Sequence, residues 1–290
     1  MITMPLTLSL NELDDKRDRD RLNTVIGSLP MTFRPADDAA VTEPKDVVAV
    51  GGPRWAGRMM AAAASGARAI LLADPWPLDA VSLREVASVT CPVVIDAGWR
   101  HSPAVDAIRD GVARYRRPDA VLEVRSTAVP GTDLLRASVG LLDLVTATAG
   151  GLIDLAVLRR DERHLVLSGR LTDETIAMIT IVTTHARPRC ASLSISGSDG
   201  RAQLLLPDPA TAASPIAKVT DPSGQTMLPI GHESAHRVAM KRLAAAVIDS
   251  TAAPDDLPRF VDYARLLLIA VEQEPVSSGP LRIDHGTGAM

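Results

Sequence analysis

Short apolar runs alternate with helix-like segments along the first part of the chain. The runs with the length and composition of strands cover residues 6–10, 46–50, 69–72 and 93–96. The segments between them repeat apolar residues at helical spacing, over residues 16–26, 55–65, 78–88 and 103–115. This alternation predicts βαβ units, whose strands lie parallel in one sheet.

The pattern changes near residue 118. Apolar and polar residues then alternate with period two over residues 120–129, 152–158, 164–171, 176–184, 191–196 and 202–206. One helical pattern interrupts them at residues 134–147, and two more close the chain at 233–249 and 257–272. Such alternation is typical of an antiparallel sheet. The predicted fold is therefore an α/β parallel-sheet domain over residues 1–118, then a mainly antiparallel, open-faced α+β domain over 119–290, whose closing helices can pack back on the first.

Composition and charge exclude several classes of function. A net charge of −4 leaves no basic footprint for nucleic acid. The two cysteines, Cys91 and Cys190, are too few and too far apart for a disulfide framework or a zinc site. The N-terminus lacks the pattern of a secretory signal, and the longest apolar run, residues 266–271, is far shorter than a membrane span. We therefore expect a cytoplasmic protein with no membrane segment and no metal site.

Several stretches carry a resemblance to a known family. They are residues 46–52 and 66–75, the run Trp99-Arg100-His101-Ser102-Pro103-Ala104, residues 134–144, the turn Ser196-Gly197-Ser198-Asp199-Gly200, and residues 255–270. In this order they resemble the Gfo/Idh/MocA oxidoreductases. The resemblance implies a Rossmann-like dinucleotide-binding domain, followed by an open-faced sheet that binds substrate and often pairs subunits.

The cofactor loop of that family has no counterpart in this sequence. In the family, a Gly-x-Gly-x-x-Gly turn and the helix after it hold the pyrophosphate of the dinucleotide. Here the chain resembles one that starts at the second strand, residues 6–10, with about thirty residues missing, so we expect a truncated Rossmann-like domain. Gly51 and Gly52, with Arg54 and Trp55 after them, are weak cofactor-binding candidates. We expect the isolated chain to bind no cofactor.

The catalytic pair implied by the resemblance is also replaced. Asp74 stands where the family has the lysine of Glu-Lys-Pro, and Gly140 stands where it has the histidine of Gly-x-His-x-x-Asp. Asp143 retains the aspartate of the second motif, where a structural pairing is the simpler role. Proton transfer requires a group that titrates near neutral pH. The remaining candidates for chemistry are Asp74, His101 and Asp143.

Two further groups of polar residues are candidate sites. Trp99, Arg100 and His101 follow the strand at residues 93–96, so they are the best candidates to line a ligand cleft. His232 and His236 are four residues apart on a predicted helix, a spacing that can place two metal ligands on one face. Neither a third ligand nor a catalytic glutamate accompanies them, so we predict no metal.

Three functions remain open at this stage. The first is a catalytically inactive homologue that binds a small molecule or a partner, as a homo-oligomer or beside a related oxidoreductase subunit. The second is an active NAD- or NADP-dependent oxidoreductase on a sugar-like or polyol substrate. The third is a non-redox enzyme on the same scaffold, because a fold does not fix a function. The uncovered sheet face is expected to form the subunit contact, with Ile179, Ile181, Leu193 and Ile195 as its apolar residues.

Overall fold

A five-stranded parallel sheet forms the first half of the protein. The computed structural model describes residues 5–36, 46–211, 213–248 and 255–273. The strands are β1 (Leu6–Glu12), β2 (Phe33–Pro35), β3 (Val47–Gly51), β4 (Ala69–Ala73) and β5 (Val93–Asp96). They lie in the order β2-β1-β3-β4-β5, so β1 is inside the sheet. The predicted parallel sheet is confirmed, and β2 is an additional strand.

Four helices connect and cover these strands. They are α1 (Lys16–Gly27), α2 (Trp55–Ala64), α3 (Ala80–Val86) and α4 (Pro103–Tyr115). Three of the four begin at a side chain that accepts a hydrogen bond from a backbone N–H of the first turn: Asp15, Asp79 and Ser102. The cap at Asp79 explains why α3 starts two residues later than the predicted residue 78.

An eight-stranded sheet forms the second half. Its strands are β6 (Val121–Ala128), β7 (Leu152–Arg160), β8 (His164–Leu171), β9 (Ile176–Thr183), β10 (Cys190–Gly197), β11 (Gly200–Pro207), β12 (Ile216–Asp221) and β13 (Gly224–Met227). They lie in the order β13-β12-β11-β10-β6-β9-β8-β7. Every neighbouring pair is antiparallel except β6 and β9. The predicted mainly antiparallel sheet is confirmed.

Helices cover one face of the second sheet. Helix α4 packs on β10, β11 and β12, and α5 (Leu134–Ala149) packs on β6, β8 and β9. At Gly111 a Cβ atom would lie 2.8 Å from Val219 Cγ2, so glycine permits the close approach of α4. Ile179, Ile181, Leu193 and Ile195 lie on this covered face and are all at most 1% exposed. The prediction that these four residues form a subunit contact is therefore wrong.

The other face, called the outer face below, carries a mixed set of side chains. Its members include Glu123, Arg125, Met178, Ser192, Ser194, Arg201, Leu205 and Lys218. The helices α6 (Ala235–Ile248) and α7 (Asp256–Glu272) pack back on the first sheet at β5, and α7 also contacts β7 and α5. One hydrophobic core continues from β3, β4 and β5 into the second sheet. No helix in the described ranges is both long enough and apolar enough to cross a membrane.

Candidate functional site

The carboxyl edge of the parallel sheet is where open α/β sheets bind their ligands. The strand order reverses between β1 and β3, because β2 lies on one side of β1 and β3 to β5 follow on the other. Three aspartates and one glycine come at or just after the strand ends: Asp14 after β1, Gly52 after β3, Asp74 after β4 and Asp96 at the end of β5.

The crevice between β1 and β3 is filled by the protein's own side chains. Arg58 of α2 pairs with Asp14, and its Nη1 donates to the carbonyl oxygens of Glu12 and Gly51 at 3.0 Å each. Gly52 has φ of 79°, and a Cβ atom there would lie 2.4 Å from Asp14 Oδ2. Gly51 and Gly52 therefore line the crevice, as cofactor-binding glycines would. The protein's own atoms pack against both glycines, in the space that a cofactor would need.

The start of α1 carries carboxylates where a phosphate-binding turn needs free N–H groups. Asp15 Oδ1 accepts from Arg17 N at 2.8 Å and so occupies the helix N-terminus. Asp14 is held beside it by Arg58, whose hydrogen bond lowers the pKa of the Asp14 carboxyl below its ordinary value. Two carboxylates at a helix N-terminus interact with the positive end of the helix dipole, which would otherwise attract an anion.

Arg54 and Trp55 do not form a cofactor pocket. Arg54 is exposed, whereas Trp55 is fully buried and its Nε1 donates to the carbonyl oxygen of Trp76 at 3.0 Å. The Trp55 ring packs edge-on against Phe260 with the ring centroids 5.4 Å apart. Trp55 is therefore a core residue that ties α2 to α7.

Asp74, at the family's lysine position, is neutralised by an arginine. Its Oδ2 accepts from Arg136 Nη2 of α5 at 2.6 Å, and Arg136 lies over the Trp76 ring with its guanidinium carbon 5.0 Å from the ring centroid. The backbone of Asp74 has φ of 45°, in the left-handed region, and its N–H donates to Asp96 O at 3.0 Å. Asp74 is therefore held as the acceptor of an ion pair.

Trp99 covers Gly140, which stands at the family's histidine position. A Cβ atom on Gly140 would lie 3.1 Å from Ala97 O and 3.4 Å from Trp99 Cδ1. The Trp99 side chain is held in turn by Arg189, whose guanidinium carbon lies 5.0 Å from the ring centroid. No room remains at Gly140 for a larger side chain without displacement of the indole.

Arg100 joins a buried cluster of charges below the sheet edge. Its Nη1 donates to Asp143 Oδ1 at 3.0 Å, and its Nη2 forms an ion pair with Asp256 Oδ1 at 3.0 Å. Arg242 of α6 and Arg259 of α7 also donate to Asp256 Oδ1, both at 3.1 Å. Arg100, Asp143 and Asp256 are all at most 8% exposed, and their ion pairs connect the end of β5 to α5 and α7.

His101 has both ring nitrogens occupied. Nε2 lies 2.7 Å from Ile95 O and Nδ1 lies 3.1 Å from Arg242 Nη1, so the neutral tautomer with Nε2–H fits both contacts. Burial, reinforced by the Arg242 charge, lowers the pKa of His101 to about 4. A neutral histidine with both nitrogens engaged is a structural residue, so the structure does not support His101 as a proton-transfer group.

Asp143 keeps one oxygen without a partner. Its Oδ2 and the hydroxyl of Tyr263 are both buried without a hydrogen bond among the residues described. Burial raises the pKa of Asp143 to about 7, even though the Arg100 charge opposes that shift. Asp143 therefore titrates near neutral pH inside the α5–α7 contact, away from any cavity that the structure shows.

A buried aspartate–histidine pair has no signal in the sequence. Asp96 at the end of β5 holds His236 of α6, with Nδ1 2.9 Å from Oδ1 and 2.8 Å from Oδ2. Burial alone would raise the pKa of Asp96, but the interaction with His236 keeps it far below the ordinary value. No sequence spacing signals a contact between residues 140 positions apart. His236 was considered only with His232 as a metal pair, and within the described ranges no group of side chains could hold a metal.

A cleft of about 270 Å³ lies beside Trp99. Ser102, the β11–β12 connection around Asp208, and residues 231–235 form its other walls. Of the three predicted cleft residues, only Trp99 lines it. Arg100 and His101 border a different hollow, between α4, α5 and α6. The Trp99 cleft can accept a small molecule, but none of the three candidate acid–base residues opens into it.

Comparison with known structures defines the class of fold. An oxidoreductase from Sinorhizobium meliloti superposes with a TM-score of 0.69 at 11% identity, over 93% of this chain and 98% of that chain. The 3-ketoreductase KijD10 from Actinomadura kijaniata, solved with TDP-benzene and NADP, gives 0.68 at 15% identity, over 93% and 97%. An oxidoreductase from Agrobacterium radiobacter, solved with NAD+, L-tartaric acid and magnesium, gives 0.62 at 13%, over 92% and 87%.

These structures are oxidoreductases, and the present chain shares their fold, a Rossmann-like parallel sheet followed by a second, mainly antiparallel sheet. No family model matches the sequence, and a search of curated proteins finds no similar sequence.

Proposed function

We propose that this chain is a catalytically inactive homologue of the Gfo/Idh/MocA oxidoreductases that acts as a partner-binding or ligand-binding subunit. The observation that carries the proposal is the crevice between β1 and β3, which Asp14 and Arg58 fill. In this fold that crevice seats the pyrophosphate of the dinucleotide.

The proposal also revises the expected position of β1. The match to the Sinorhizobium structure covers 98% of that chain, which leaves little room for a missing strand and helix. We therefore take β1 and α1 as the fold's first strand and helix. On this basis the residues from Asn11 to Asp15 stand in place of the glycine-rich turn, so that the turn is replaced and not truncated.

Charge opposes cofactor binding at this turn. A pyrophosphate needs several backbone N–H donors at the helix start, each worth about 1.5–3 kcal/mol when charge-assisted. Here Asp15 already takes one donor, and Asp14 adds a second negative charge. An incoming anion would have to displace Arg58 from three oxygen partners, those of Asp14, Glu12 and Gly51.

The positions of the catalytic pair support the same reading. Asp74 is an anion paired with Arg136, and it cannot donate a proton to a developing alkoxide. Gly140 has no side chain, and Trp99 fills the space above it. Binding functions remain, with a small molecule in the Trp99 cleft and a homo- or hetero-oligomeric partner as the two proposed contacts.

A non-redox enzyme is the second candidate, and the Asp96–His236 pair favours it. An aspartate that fixes the tautomer of a histidine is a common arrangement in general-base catalysis. The pair lies at the end of β5, on the sheet edge where active sites of this fold class occur. An active NAD- or NADP-dependent oxidoreductase is the remaining alternative, supported by the cofactors in the solved relatives.

An assay of hydride transfer separates an active oxidoreductase from the other two candidate functions. We expect no change in nicotinamide absorbance when the chain is mixed with NAD+, NADH, NADP+ or NADPH and a panel of sugars and polyols. The double variant Asp74→Lys, Gly140→His should stay inactive, because Asp14 and Arg58 would still fill the crevice that the cofactor needs. KijD10, a 3-ketoreductase, is the positive control, with NADPH as the hydride donor and its ketone substrate as the acceptor. Turnover by the natural chain would contradict the proposal, and turnover only by the double variant would show that the crevice does accept a dinucleotide.

A further inference from the structure

The outer face of the second sheet contains a hollow lined by both charged and apolar side chains. It has a volume of about 330 Å³ and lies across β6, β10, β11 and β12. Three cations line it, Arg125, Arg201 and Lys218, together with the hydroxyls of Ser192 and Ser194. The strand register explains their convergence, because Ser192 is opposite Arg125, and Gln203 is opposite both Ser194 and Lys218.

The positive charges of this hollow are not balanced within it. Arg125 Nη2 lies 3.4 Å from Glu123 Oε1, which is the one carboxylate among the lining residues. Arg201 Nη2 donates to Ser194 Oγ at 3.2 Å. No residue in the described parts of the chain forms an ion pair with Arg201 or Lys218. The lining therefore holds three positive charges against one negative charge.

We propose that this hollow binds a small organic anion through a phosphate or carboxylate group. Arginine presents a planar fork of N–H donors that matches either group, and lysine adds a compact charge. The serine hydroxyls can donate or accept beside the charged group. Leu205 and Ile216, which are 43% and 41% exposed, give the hollow an apolar wall for the rest of the ligand. The inference does not depend on whether the chain is catalytically active.

Calorimetric titration with inorganic phosphate and with succinate, in a dilute zwitterionic buffer, tests this site. We expect saturable binding of at least one probe, weakened about tenfold or more in the double variant Arg201→Gln, Lys218→Gln, because charged hydrogen bonds are lost. The double variant Arg84→Gln, Arg163→Gln changes the net charge equally at two exposed positions elsewhere, and it should bind like the natural chain. The tighter probe identifies the phosphoryl or the carboxylate chemistry.

Two results would overturn the proposal. One is the absence of saturable binding of both probes to the natural chain, or equal weakening in the two double variants. The other comes from sedimentation of the same proteins. If neither probe binds and Arg201→Gln, Lys218→Gln reduces the mass of an assembly, the hollow receives a carboxylate of a protein partner and not a free anion.

Discussion

Single residues carry most of the argument for the proposed loss of oxidoreductase activity. Asp74 and Gly140 were recognisable in the sequence because motif positions identify them. Their partners were not, since Arg136 and Trp99 reach them only through the fold. The same holds for Asp96 and His236, whose contact no local pattern encodes. Residue identities could thus be predicted, whereas the contacts that decide their roles required the structure.

The buried carboxyl of Asp143 predicts a specific dependence of stability on pH. Burial raises its pKa in the folded state to about 7, so between about pH 4 and pH 7 the folded chain holds a proton that the unfolded chain has lost. The free energy of unfolding should therefore fall, relative to Asp143→Asn, as pH rises through this range and level off above it. Each unit of pKa corresponds to about 1.4 kcal/mol, so the change should reach a few kcal/mol.

Urea unfolding of both proteins at pH 5, 6, 7 and 8 measures this difference. Because the pKa of His101 is lowered to about 4, its titration makes the free energy of unfolding rise with pH, opposite to the effect of Asp143. His101 is present in both proteins, so its contribution cancels in the comparison. A difference in stability that does not vary with pH would contradict the assignment of a raised pKa to Asp143.

A second prediction for a single residue concerns the stability effect of a substitution at Gly140. Gly140→Ala places a Cβ atom 3.1 Å from Ala97 O and against Trp99, so we expect a loss of about 1–2 kcal/mol despite the better helix propensity of alanine. Gly57→Ala in α2 is the matched control, because no atom lies within 4 Å of its Cβ position. It should be neutral or stabilise by roughly 0.5 kcal/mol. Thermal unfolding that shows equal effects of the two substitutions would mean that Trp99 moves aside freely.

At the level of elements, long regular segments were predictable and short polar ones were not. Helix α4 and strand β8 have the predicted bounds, because clear periodicity and a serine cap or turn residues define them. Strands β2, β12 and β13 were missed, since they are short and owe their conformation to neighbours in the sheet. Period-two alternation identified two faces for β9 and β10, but it could not say which face the helices cover. That is why Ile179 and Leu193 were assigned to the wrong side.

The docking of α7 on the parallel sheet depends on one carboxylate. Asp256 accepts from Ile95 N of β5, from Arg242 and from Arg259, and it forms an ion pair with the buried Arg100. Asp256→Ala removes one of the two buried carboxylates paired with Arg100 and leaves the buried Ile95 N–H without its acceptor, so we expect a loss of about 3–5 kcal/mol of stability. Asp255→Ala is the neighbouring control, since that side chain is 68% exposed and makes no capping hydrogen bond. Its loss should be below about 1 kcal/mol. Similar losses in the two variants would show that the cluster does not anchor α7.

At the scale of the whole molecule, the order of a parallel sheet followed by an antiparallel sheet was predictable from hydrophobic periodicity alone. Recognition of the family fold came from the order and spacing of imperfect motifs, and the structural neighbours agree with it. The position of β1 was not predictable, because a chain that lacks the glycine-rich turn looks from its sequence like one that lacks the first strand. The sheet order then places β1 beside the crevice that Arg58 occupies.

Isothermal titration calorimetry with NAD+, NADH, NADP+ and NADPH tests the central claim most directly. Because Asp14, Asp15 and Arg58 occupy the pyrophosphate seat, the account predicts no measurable binding of any of the four at sub-millimolar concentration. KijD10, solved with NADP, should give a clear binding isotherm under the same conditions. Micromolar binding of any dinucleotide to this chain would contradict the account and make an active oxidoreductase the leading function.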